Sequence, residues 1–489
     1  MEVTNPKRTP VAGVILCASL IGLFFLATIR EGHSWHDDFA MYITHARNLA
    51  TGLSYGESGY LYNPNLPVIG PKAYPPVLPI LLSPLYRMFG PDLWPMKVLM
   101  VSFWTANLVL VGLLFSGLLP SGWLIGGIAL LGLNPFFWGM KDNVISDLPF
   151  LFFFLLGLLL IRALDRRPSD RALPLAVLTG LALYLAYGTR TIGIVLVPIL
   201  VICALLGGRR LLRGTFVALS VFAALAILQH VWLPGSGSGY ADQFHLTPAS
   251  LLRNLIEYTF QASTLFEDGH GSVMRKLIFP AMAALAAVGY LHRVRATGLT
   301  VLEVAPWLYG LVVLVWPSRG GLRLLIPIVP FFVLYALMGA HTIATALGAG
   351  ARRVVLVGVL GLVGLVYADR YARLDFGPIR NGVTSTTSLE LLEHIKRDTG
   401  PSDVLAFSKP RYLALATGRR SSACHVPADD RDLWSYLHEI RASHLIVGPD
   451  ILGPLERDLR RFALAYPSEL KPEFENADFT MYRIVKSPI

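Results

Sequence analysis

Long apolar runs recur along most of this 489-residue chain and restrict its fold more than any other feature. Hydrophobic residues make up 54% of the sequence and charged residues only 15%, and the mean hydropathy is +0.55. A helix needs about 20 apolar residues to cross the hydrocarbon core of a bilayer, and the runs are near that length. The sequence therefore predicts a polytopic α-helical membrane protein.

The apolar runs predict about eleven transmembrane helices. The first run resembles a secretory signal, but no small-residue cleavage site follows it, so we interpret it as a retained span. The predicted spans are residues 11–29, 95–115, 121–140, 147–163, 172–188, 191–206, 214–233, 276–292, 301–317, 324–341 and 353–369.

Basic residues between the spans set the predicted orientation. Lys7 and Arg8 precede the first span and place the N-terminus on the cytoplasmic side under the positive-inside rule. Alternation of the spans then places each arginine cluster of the short loops on that same side. These arginines are Arg162, Arg166, Arg167, Arg171, Arg209, Arg210, Arg213, Arg293, Arg295, Arg352 and Arg353. The net charge of +10 is thus a topology signal, and nucleic acid is not expected as a partner.

The outer side receives two long loops and the C-terminal tail. The predicted outer segments are residues 30–94, 141–146, 189–190, 234–275 and 318–323. We divide the chain into a transmembrane domain of residues 1–374, whose first outer loop is 30–94, and a small extracytoplasmic α/β domain of residues 375–489.

The polar C-terminal part carries its own secondary-structure signals. Ser388 is the predicted N-cap of a helix that ends near Arg397, because leucines follow it at helical spacing. Residues 404–407 and 444–447 are predicted buried strands, and residues 479–485 a terminal strand.

Two adjacent carboxylates, Asp37 and Asp38, lie just past the first span. An acidic pair close to a bilayer surface is costly to desolvate, which favours a functional role. A solvated loop is the simpler alternative. Residues 38–50 have the spacing of an amphipathic interfacial helix, so a helix cap is another alternative, but only one aspartate can be that cap.

Further charges lie in the outer loops, against the trend of the chain. Lys72 precedes Tyr74 and two prolines, and Asp147 opens an apolar run. Three arginines each flank a span, namely Arg190, Arg319 and Arg323. Arginine suits bidentate recognition of phosphate. Headgroup contact is the alternative for each basic residue, and helix capping is the alternative for Asp147. The three cysteines form no disulfide or metal pattern.

These motifs, taken in order, resemble the GT-C superfamily of membrane glycosyltransferases. They are most similar to the branch that holds the protein O-mannosyltransferases and the lipid A aminoarabinose transferase. The motifs are Asp37-Asp38-Phe39-Ala40-Met41-Tyr42, Tyr74-Pro75-Pro76, Ser146-Asp147-Leu148-Pro149, Thr189-Arg190, and Arg323 with Pro327 and Pro330.

The resemblance implies an outward-facing active site that uses a polyprenyl-phosphate sugar, in a bacterial inner membrane. It maps the catalytic carboxylate to Asp37, with Asp38 second. It also implies that Lys72, Arg190 and Arg323 bind the donor phosphate, with Tyr74 and Asp147 as further substrate-binding residues. The family often has tyrosine after the late arginine, whereas this chain has Leu324.

The chemistry of such a transfer agrees with these residue types. The acceptor hydroxyl needs a base, the leaving phosphate needs cations, and the lipid tail must stay in the bilayer. No separate nucleophile stands out, so a direct, inverting displacement is expected, without a metal or other cofactor. The acceptor could be a glycolipid, a polysaccharide or a protein.

Two other functions remain open at this point. A transporter or lipid flippase would predict an internal repeat and charges at mid-span positions, and neither is evident in the sequence. A non-catalytic envelope protein that kept the fold is the other possibility, and the intact Asp37-Asp38 pair argues against it.

Overall fold

The computed structural model describes residues 11–165, 172–207, 209–233, 247–268, 273–316, 320–426 and 429–486. Several predicted topology and site signals lie outside these residues, namely Lys7, Arg8, Arg166, Arg167, Arg171, Arg319 and the 234–246 part of the second long outer loop.

Helices dominate the described part of the chain. Those of the apolar part are α1 (Val11–Ala27), α2 (Asp38–Thr51), α3 (Val77–Phe89), α4 (Leu93–Leu114), α5 (Ser121–Gly132), α6 (Pro135–Met140), α7 (Asp147–Asp165), α8 (Ala172–Thr189), α9 (Leu196–Gly207), α10 (Arg209–Trp232), α11 (Pro248–Ser263), α12 (Val273–Thr297), α13 (Val301–Val315), α14 (Val329–Leu347) and α15 (Ala349–Ala372). Those of the polar part are α16 (Thr386–Asp398), α17 (Pro410–Thr417), α18 (Asp430–Glu439) and α19 (Leu455–Ala465).

Every predicted span coincides with at least one of these helices, which confirms the polytopic helical architecture. Among the described residues, six helices are long and apolar enough to cross a membrane: α4, α7, α10, α12, α14 and α15. Shorter apolar helices accompany them, including α3, for which the sequence analysis predicted no helix. A 13-residue helix of this kind is shorter than a span, as is typical of interfacial or re-entrant segments.

Several predicted span boundaries differ from the helices, and two of the differences have a clear backbone cause. The span predicted at 121–140 is two helices, because Pro135 has no N–H for a continuous helix and Asn134 caps α6 by accepting the Phe136 N–H at 2.9 Å. The span predicted at 324–341 begins only at Val329, since a 3-10 turn occupies Gly321–Leu325.

The cap of α16 was also predicted wrongly. Ser385, not Ser388, is the N-cap, and its hydroxyl accepts the Ser388 N–H at 3.3 Å. Ser388 is fully buried in the first turn. Two serines three residues apart offer equivalent caps in sequence, and packing of the turn selects between them.

A six-stranded sheet forms the centre of the polar part. Its strands are β1 (Tyr60–Leu61), β2 (Val404–Ala406), β3 (Arg420–Ser422), β4 (His444–Val447), β5 (Leu470–Glu475) and β6 (Thr480–Ile484). Their order is β1-β3-β2-β4-β6-β5, with parallel pairing from β1 to β4 and antiparallel pairing of β6 with both β4 and β5. The strands predicted near 404, 444 and 480 are confirmed.

The first outer loop and the C-terminal part are joined through this sheet. The edge strand β1 belongs to the loop and pairs in parallel with β3. A second connection is a bridge between Ser34 and Gly382, next to which the Val383 N–H donates to the carbonyl oxygen of His33 at 2.9 Å. The division at residue 374 stays a prediction, and backbone hydrogen bonds cross it.

Candidate active site

Asp38 begins helix α2 and lies at the centre of a charged cluster. Its Oδ1 accepts hydrogen bonds from the Tyr74 hydroxyl at 2.7 Å and from Arg411 Nη1 at 3.2 Å. Its Oδ2 accepts from Arg323, at 3.2 Å from Nη1 and 3.3 Å from Nη2. The side chain is 32% exposed, so one part of it still faces open space. Burial works against ionisation, but Arg323 and Arg411 outweigh it and lower the pKa of Asp38 to about 2.

Asp37 has different partners, although it is the adjacent residue. Its carboxylate accepts the backbone N–H groups of Tyr412, at 2.9 Å, and Arg411, at 3.2 Å. These groups lie in the first turn of α17, so Asp37 caps that helix, while its side chain makes no cap bond to α2. Burial raises the pKa of Asp37 to about 6, despite the nearby positive charge of Arg411 and the two N–H bonds.

Asp147 links two arginines from segments that are distant in the sequence. Its Oδ2 accepts from Arg323 Nη2 at 2.8 Å and Nε at 3.2 Å, and its Oδ1 accepts from Arg190 Nη1 at 2.6 Å. Asp147 starts α7, Arg190 follows α8, and Arg323 lies in the 3-10 turn before α14. The carboxylate is 1% exposed, and a buried charge of this kind requires such pairing.

The fold thus brings three carboxylates and three guanidinium groups into one connected cluster. Formal charges of the three aspartates and the three arginines cancel. The members are Asp37, Asp38, Asp147, Arg190, Arg323 and Arg411.

Buried aromatic and histidine side chains fix Tyr74, which bridges Asp38 and Arg411. The Tyr42 ring stacks on the Tyr74 ring at 4.7 Å between centroids, and the Tyr42 hydroxyl donates to Ser146 Oγ at 2.8 Å. His45 Nε2 accepts the Tyr74 N–H at 3.2 Å, and His45 Nδ1 lies 2.9 Å from the Tyr55 carbonyl oxygen. Burial lowers the pKa of His45 to about 4, so the neutral ring accepts at one nitrogen and donates at the other.

The segment before Asp37 is held by charged side chains of the apolar part of the chain. Lys97, in the first turns of α4, donates to the carbonyl oxygens of Arg30, at 2.6 Å, and Gly32, at 2.5 Å. The Arg30 N–H donates to Asp142 Oδ1 at 2.9 Å, and Asp142 pairs with the buried Lys141 at 2.7 Å. The two aspartates therefore follow a backbone segment with little freedom to move.

Two cavities contact α2 through different residues of the helix. The smaller, of about 70 Å³, is next to the cluster and is lined by Asp38, Tyr42, Tyr74, Arg190 and Arg323. The larger, of about 980 Å³, lies between α2, the start of α4, α16 and α17. Asp38 lines the smaller cavity, whereas Tyr412, whose N–H binds Asp37, lines the larger one.

Most of the predicted site residues converge, and one does not. Asp37, Asp38, Tyr74, Asp147, Arg190 and Arg323 all belong to the cluster or touch it directly. Lys72 is exposed, and its ammonium lies 6.0 Å from the centroid of the Tyr62 ring, outside the cluster. Among the described residues, no group of His, Cys, Asp and Glu side chains is arranged to hold a metal ion.

Sequence reasoning missed Arg411. The residue follows the predicted strand at 404–407 in the segment Ser408-Lys409-Pro410-Arg411. A basic pair around a proline directly after a buried strand was the available signal. It gave no indication that the arginine would contact a loop more than 300 positions earlier in the chain.

Comparisons with known proteins agree with this arrangement at the level of the fold. No protein-family model matches the sequence, and no curated protein matches it significantly. The structure is similar to archaeal oligosaccharyltransferase AglB from Archaeoglobus fulgidus, in complex with an inhibitory peptide and a dolichol-phosphate. The two are 11% identical, the match covers 93% of this chain and 71% of AglB, and the TM-score is 0.59.

The structure is also similar to ArnT from Cupriavidus metallidurans. In the comparison with the structure of ArnT bound to undecaprenyl phosphate, the identity is 14% and the TM-score is 0.55. That match covers 98% of this chain and 99% of ArnT. The apo state of ArnT gives 13% identity, coverage of 96% and 97%, and a TM-score of 0.59. The chain therefore has the fold of the GT-C membrane glycosyltransferases.

Proposed function

We propose that this protein is a membrane glycosyltransferase that moves a sugar from a polyprenyl-phosphate donor to an acceptor hydroxyl. The observation that carries the proposal is the convergence of Asp38, Arg190 and Arg323 on a small cavity. Asp147 pairs with both arginines. The GT-C fold supports it, as do the dolichol-phosphate and undecaprenyl phosphate bound to AglB and ArnT.

Asp38 is the proposed general base, ahead of Asp37. Its carboxylate lines the small cavity with the arginines, whereas the carboxylate of Asp37 binds the N–H groups of α17. A carboxylate held by two guanidinium groups is a weak base. The phosphate of a bound donor competes with Asp38 for Arg323. The weaker interaction of Arg323 with Asp38 then raises the pKa of Asp38 and makes it a better base.

Arg190 and Arg323 are the proposed ligands of the donor phosphate. Asp147 lies between them and holds both guanidinium groups at the cavity. Lys72 and Tyr74 belong to the same loop. Tyr74 already contacts Asp38, and Lys72 is proposed as a further donor ligand at the exposed end of the site.

The proposed reaction is one displacement at the anomeric carbon. The acceptor oxygen forms a bond to that carbon and gives its proton to Asp38. The bond from the carbon to the phosphate oxygen breaks, its electron pair stays on the phosphate, and Arg190 and Arg323 stabilise that charge. A single displacement inverts the anomeric configuration. We propose that it occurs on the outer face of the plasma membrane, with a glycolipid, polysaccharide or protein as acceptor.

The test is sugar transfer by the purified chain in lipid nanodiscs, supplied with a radiolabelled polyprenyl-phosphate hexose pool and envelope extract as acceptor. Asp38→Asn is expected to lower kcat by about 10²-fold or more, since the base is lost. Arg323→Gln is expected to lower it by about 10²-fold through loss of charge stabilisation. Lys72→Gln reports whether that exposed side chain reaches the donor.

Asp92→Asn is the matched control. Asp92 is an exposed aspartate of the same loop and caps α4 by accepting the Trp94 N–H at 2.9 Å, and asparagine caps equally well. It is expected to retain wild-type activity. Equal transfer by wild type and Asp38→Asn would remove Asp38 from the mechanism. Movement of the labelled lipid across the bilayer without sugar transfer would favour a flippase.

A further inference from the structure

The guanidinium of Arg411 is buried among groups of the first outer loop. The residue is 2% exposed, and its Nη1 donates to Asp38 Oδ1 at 3.2 Å and to the Tyr74 hydroxyl at 2.5 Å, while Nη2 donates to the Ile69 carbonyl oxygen. Its Cζ lies 4.9 Å from the centroid of the Tyr74 ring and 5.1 Å from that of Tyr60. These partners all lie between residues 38 and 74, although Arg411 belongs to the C-terminal part.

This burial is costly, which makes a mere packing role a poor explanation. Removing a guanidinium from water carries a large free-energy cost, which only good pairing offsets. The pairing of Arg411 is incomplete, because its buried Nε has no hydrogen-bond partner among the described residues. The same side chain contacts Asp38 and Tyr74, two of the residues that line the small cavity.

Asp37 explains how Arg411 reaches this position. Its carboxylate accepts the N–H groups of Arg411 and Tyr412, which fixes the first turn of α17. Aromatic contacts reinforce this connection, because the Tyr412 ring lies 5.4 Å from the Trp35 ring and 5.5 Å from the Phe39 ring. Residues on both sides of Asp37 and Asp38 thus hold α17 against the start of α2.

We propose that Arg411 is a positioning residue for the catalytic site, supplied by the C-terminal part of the chain. It orients the Asp38 carboxylate and the Tyr74 hydroxyl, and Asp37 anchors α17 so that Arg411 reaches them. The inference rests on the proposed function. It assigns a role to the polar C-terminal part and separates the roles of the two adjacent aspartates.

The anchoring is tested without any activity measurement, by hydrogen–deuterium exchange of the purified chain in detergent. Asp37→Ala removes the acceptor of two N–H groups and is expected to speed exchange in the peptide covering residues 410–417 by about tenfold, equivalent to about 1.4 kcal/mol. Asp92→Ala is the control, with unchanged exchange in that peptide. Unchanged exchange in Asp37→Ala would overturn the anchoring.

The positioning role is tested by the kinetics of Arg411→Gln and Arg411→Lys in the nanodisc assay. Arg411→Gln is expected to lower kcat by about 10-fold to 10²-fold, with the KM for the donor nearly unchanged, since the base is misplaced and not the donor ligands. Arg411→Lys keeps the charge without the planar fork and is expected to recover part of kcat. Arg457→Gln, at a 71% exposed position of α19, is the control and is expected to match wild type.

A pH profile separates this role from a purely structural one. Loss of a cation beside Asp38 raises the pKa of that carboxyl, so the acid limb of kcat/KM moves to higher pH in Arg411→Gln. Wild type and Arg411→Gln differ only at Arg411 among the charged and titratable groups near Asp38. The other groups are His36, Asp37, Tyr74, Arg323 and Asp147, which acts through Arg323. A structural role alone would lower thermal stability but leave kcat per folded molecule and the acid limb unchanged.

The outcomes distinguish the two proposals. Arg411→Gln could keep the wild-type kcat and the wild-type acid limb while Asp38→Asn is inactive. That result would overturn the role of Arg411 and leave the proposed function standing. Wild-type activity in Asp38→Asn would overturn the proposed function and, with it, the positioning of Asp38.

Discussion

Asp37 and Asp38 show how two identical adjacent residues acquire opposite properties from their neighbours. Asp37 is buried against backbone N–H groups, and its pKa rises to about 6. Asp38, whose side chain is partly exposed, lies between the guanidinium groups of Arg323 and Arg411, and its pKa falls to about 2. The difference arises because two guanidinium groups bond directly to Asp38, whereas Asp37 bonds only to backbone N–H groups and the nearby charge of Arg411 does not offset its burial.

The raised pKa of Asp37 predicts a pH-dependent contribution to stability. The folded pKa of about 6 exceeds the ordinary value of 3.8, so the folded chain binds a proton at Asp37 more tightly than the unfolded chain does. The stabilisation is complete below 3.8 and is lost as the pH rises through about 6. Asp37→Asn removes this titration. We therefore expect the Tm of wild type, minus that of Asp37→Asn, to increase when the pH falls from about 7 to about 5.

Thermal unfolding in detergent at several pH values in this range measures the effect. Other titrating groups, such as the buried His33 and His45, are common to both proteins, so their contributions cancel in the difference. A Tm difference that stays constant with pH would contradict the prediction.

At the scale of elements, close helix packing at glycines is the feature that shapes the apolar part of the molecule. Helices α12 and α14 pack along each other and meet at Gly289 and Gly339. A Cβ at Gly289 would overlap the Tyr335 carbonyl oxygen, and one at Gly339 would overlap the Leu285 carbonyl oxygen. Small residues at such crossings let helix backbones approach closely in membranes.

This crossing predicts an asymmetry between two Gly→Ala substitutions. Gly339→Ala places a methyl group against backbone that cannot move aside and is expected to cost about 1–3 kcal/mol of stability. Gly364→Ala, in α15, has open space around its Cβ and is expected to be neutral or slightly stabilising. Thermal unfolding in detergent gives the Tm of each variant. Equal Tm values would show that α12 and α14 can move apart without loss of stability.

At the scale of the whole molecule, the polar C-terminal part and the first outer loop act as one assembly around the aspartates. Strand β1 of the loop pairs with the sheet, and the Ser34–Gly382 bridge adds a second connection. In addition, the Asp37 carboxylate caps the N-terminus of α17. Both parts must therefore lie on the same side of the membrane. The positive-inside pattern predicts that this side is the outer one.

Single cysteines test that orientation in intact cells with a membrane-impermeant maleimide. Ala477→Cys lies at an exposed position between β5 and β6 and is expected to be labelled from outside. Ala296→Cys, exposed at the end of α12, is predicted to face the cytoplasm and to be labelled only after lysis. The native cysteines provide the background signal. The reverse pattern would invert the predicted topology.

The sequence by itself determined the helical framework and most of the candidate site. Apolar runs of spanning length specify helices, because backbone polar groups in lipid must bond within their own segment. Charges such as Asp147 and Arg190 stood out because they are rare and costly next to spans. Alternation of the spans predicted most of the candidates on one side of the membrane, and packing of the helices brings them into contact.

Tertiary structure alone decided how the site is completed. The pairing of Arg411 with Asp38 joins residues 373 positions apart, and no local spacing encodes such a contact. The same holds for β1, whose two residues become a strand only beside β3. Local patterns fix a helix or a cap through neighbours within a few residues. The partners that set the charge of Asp37 and Asp38, and hence their separate roles, come from the packing of distant segments.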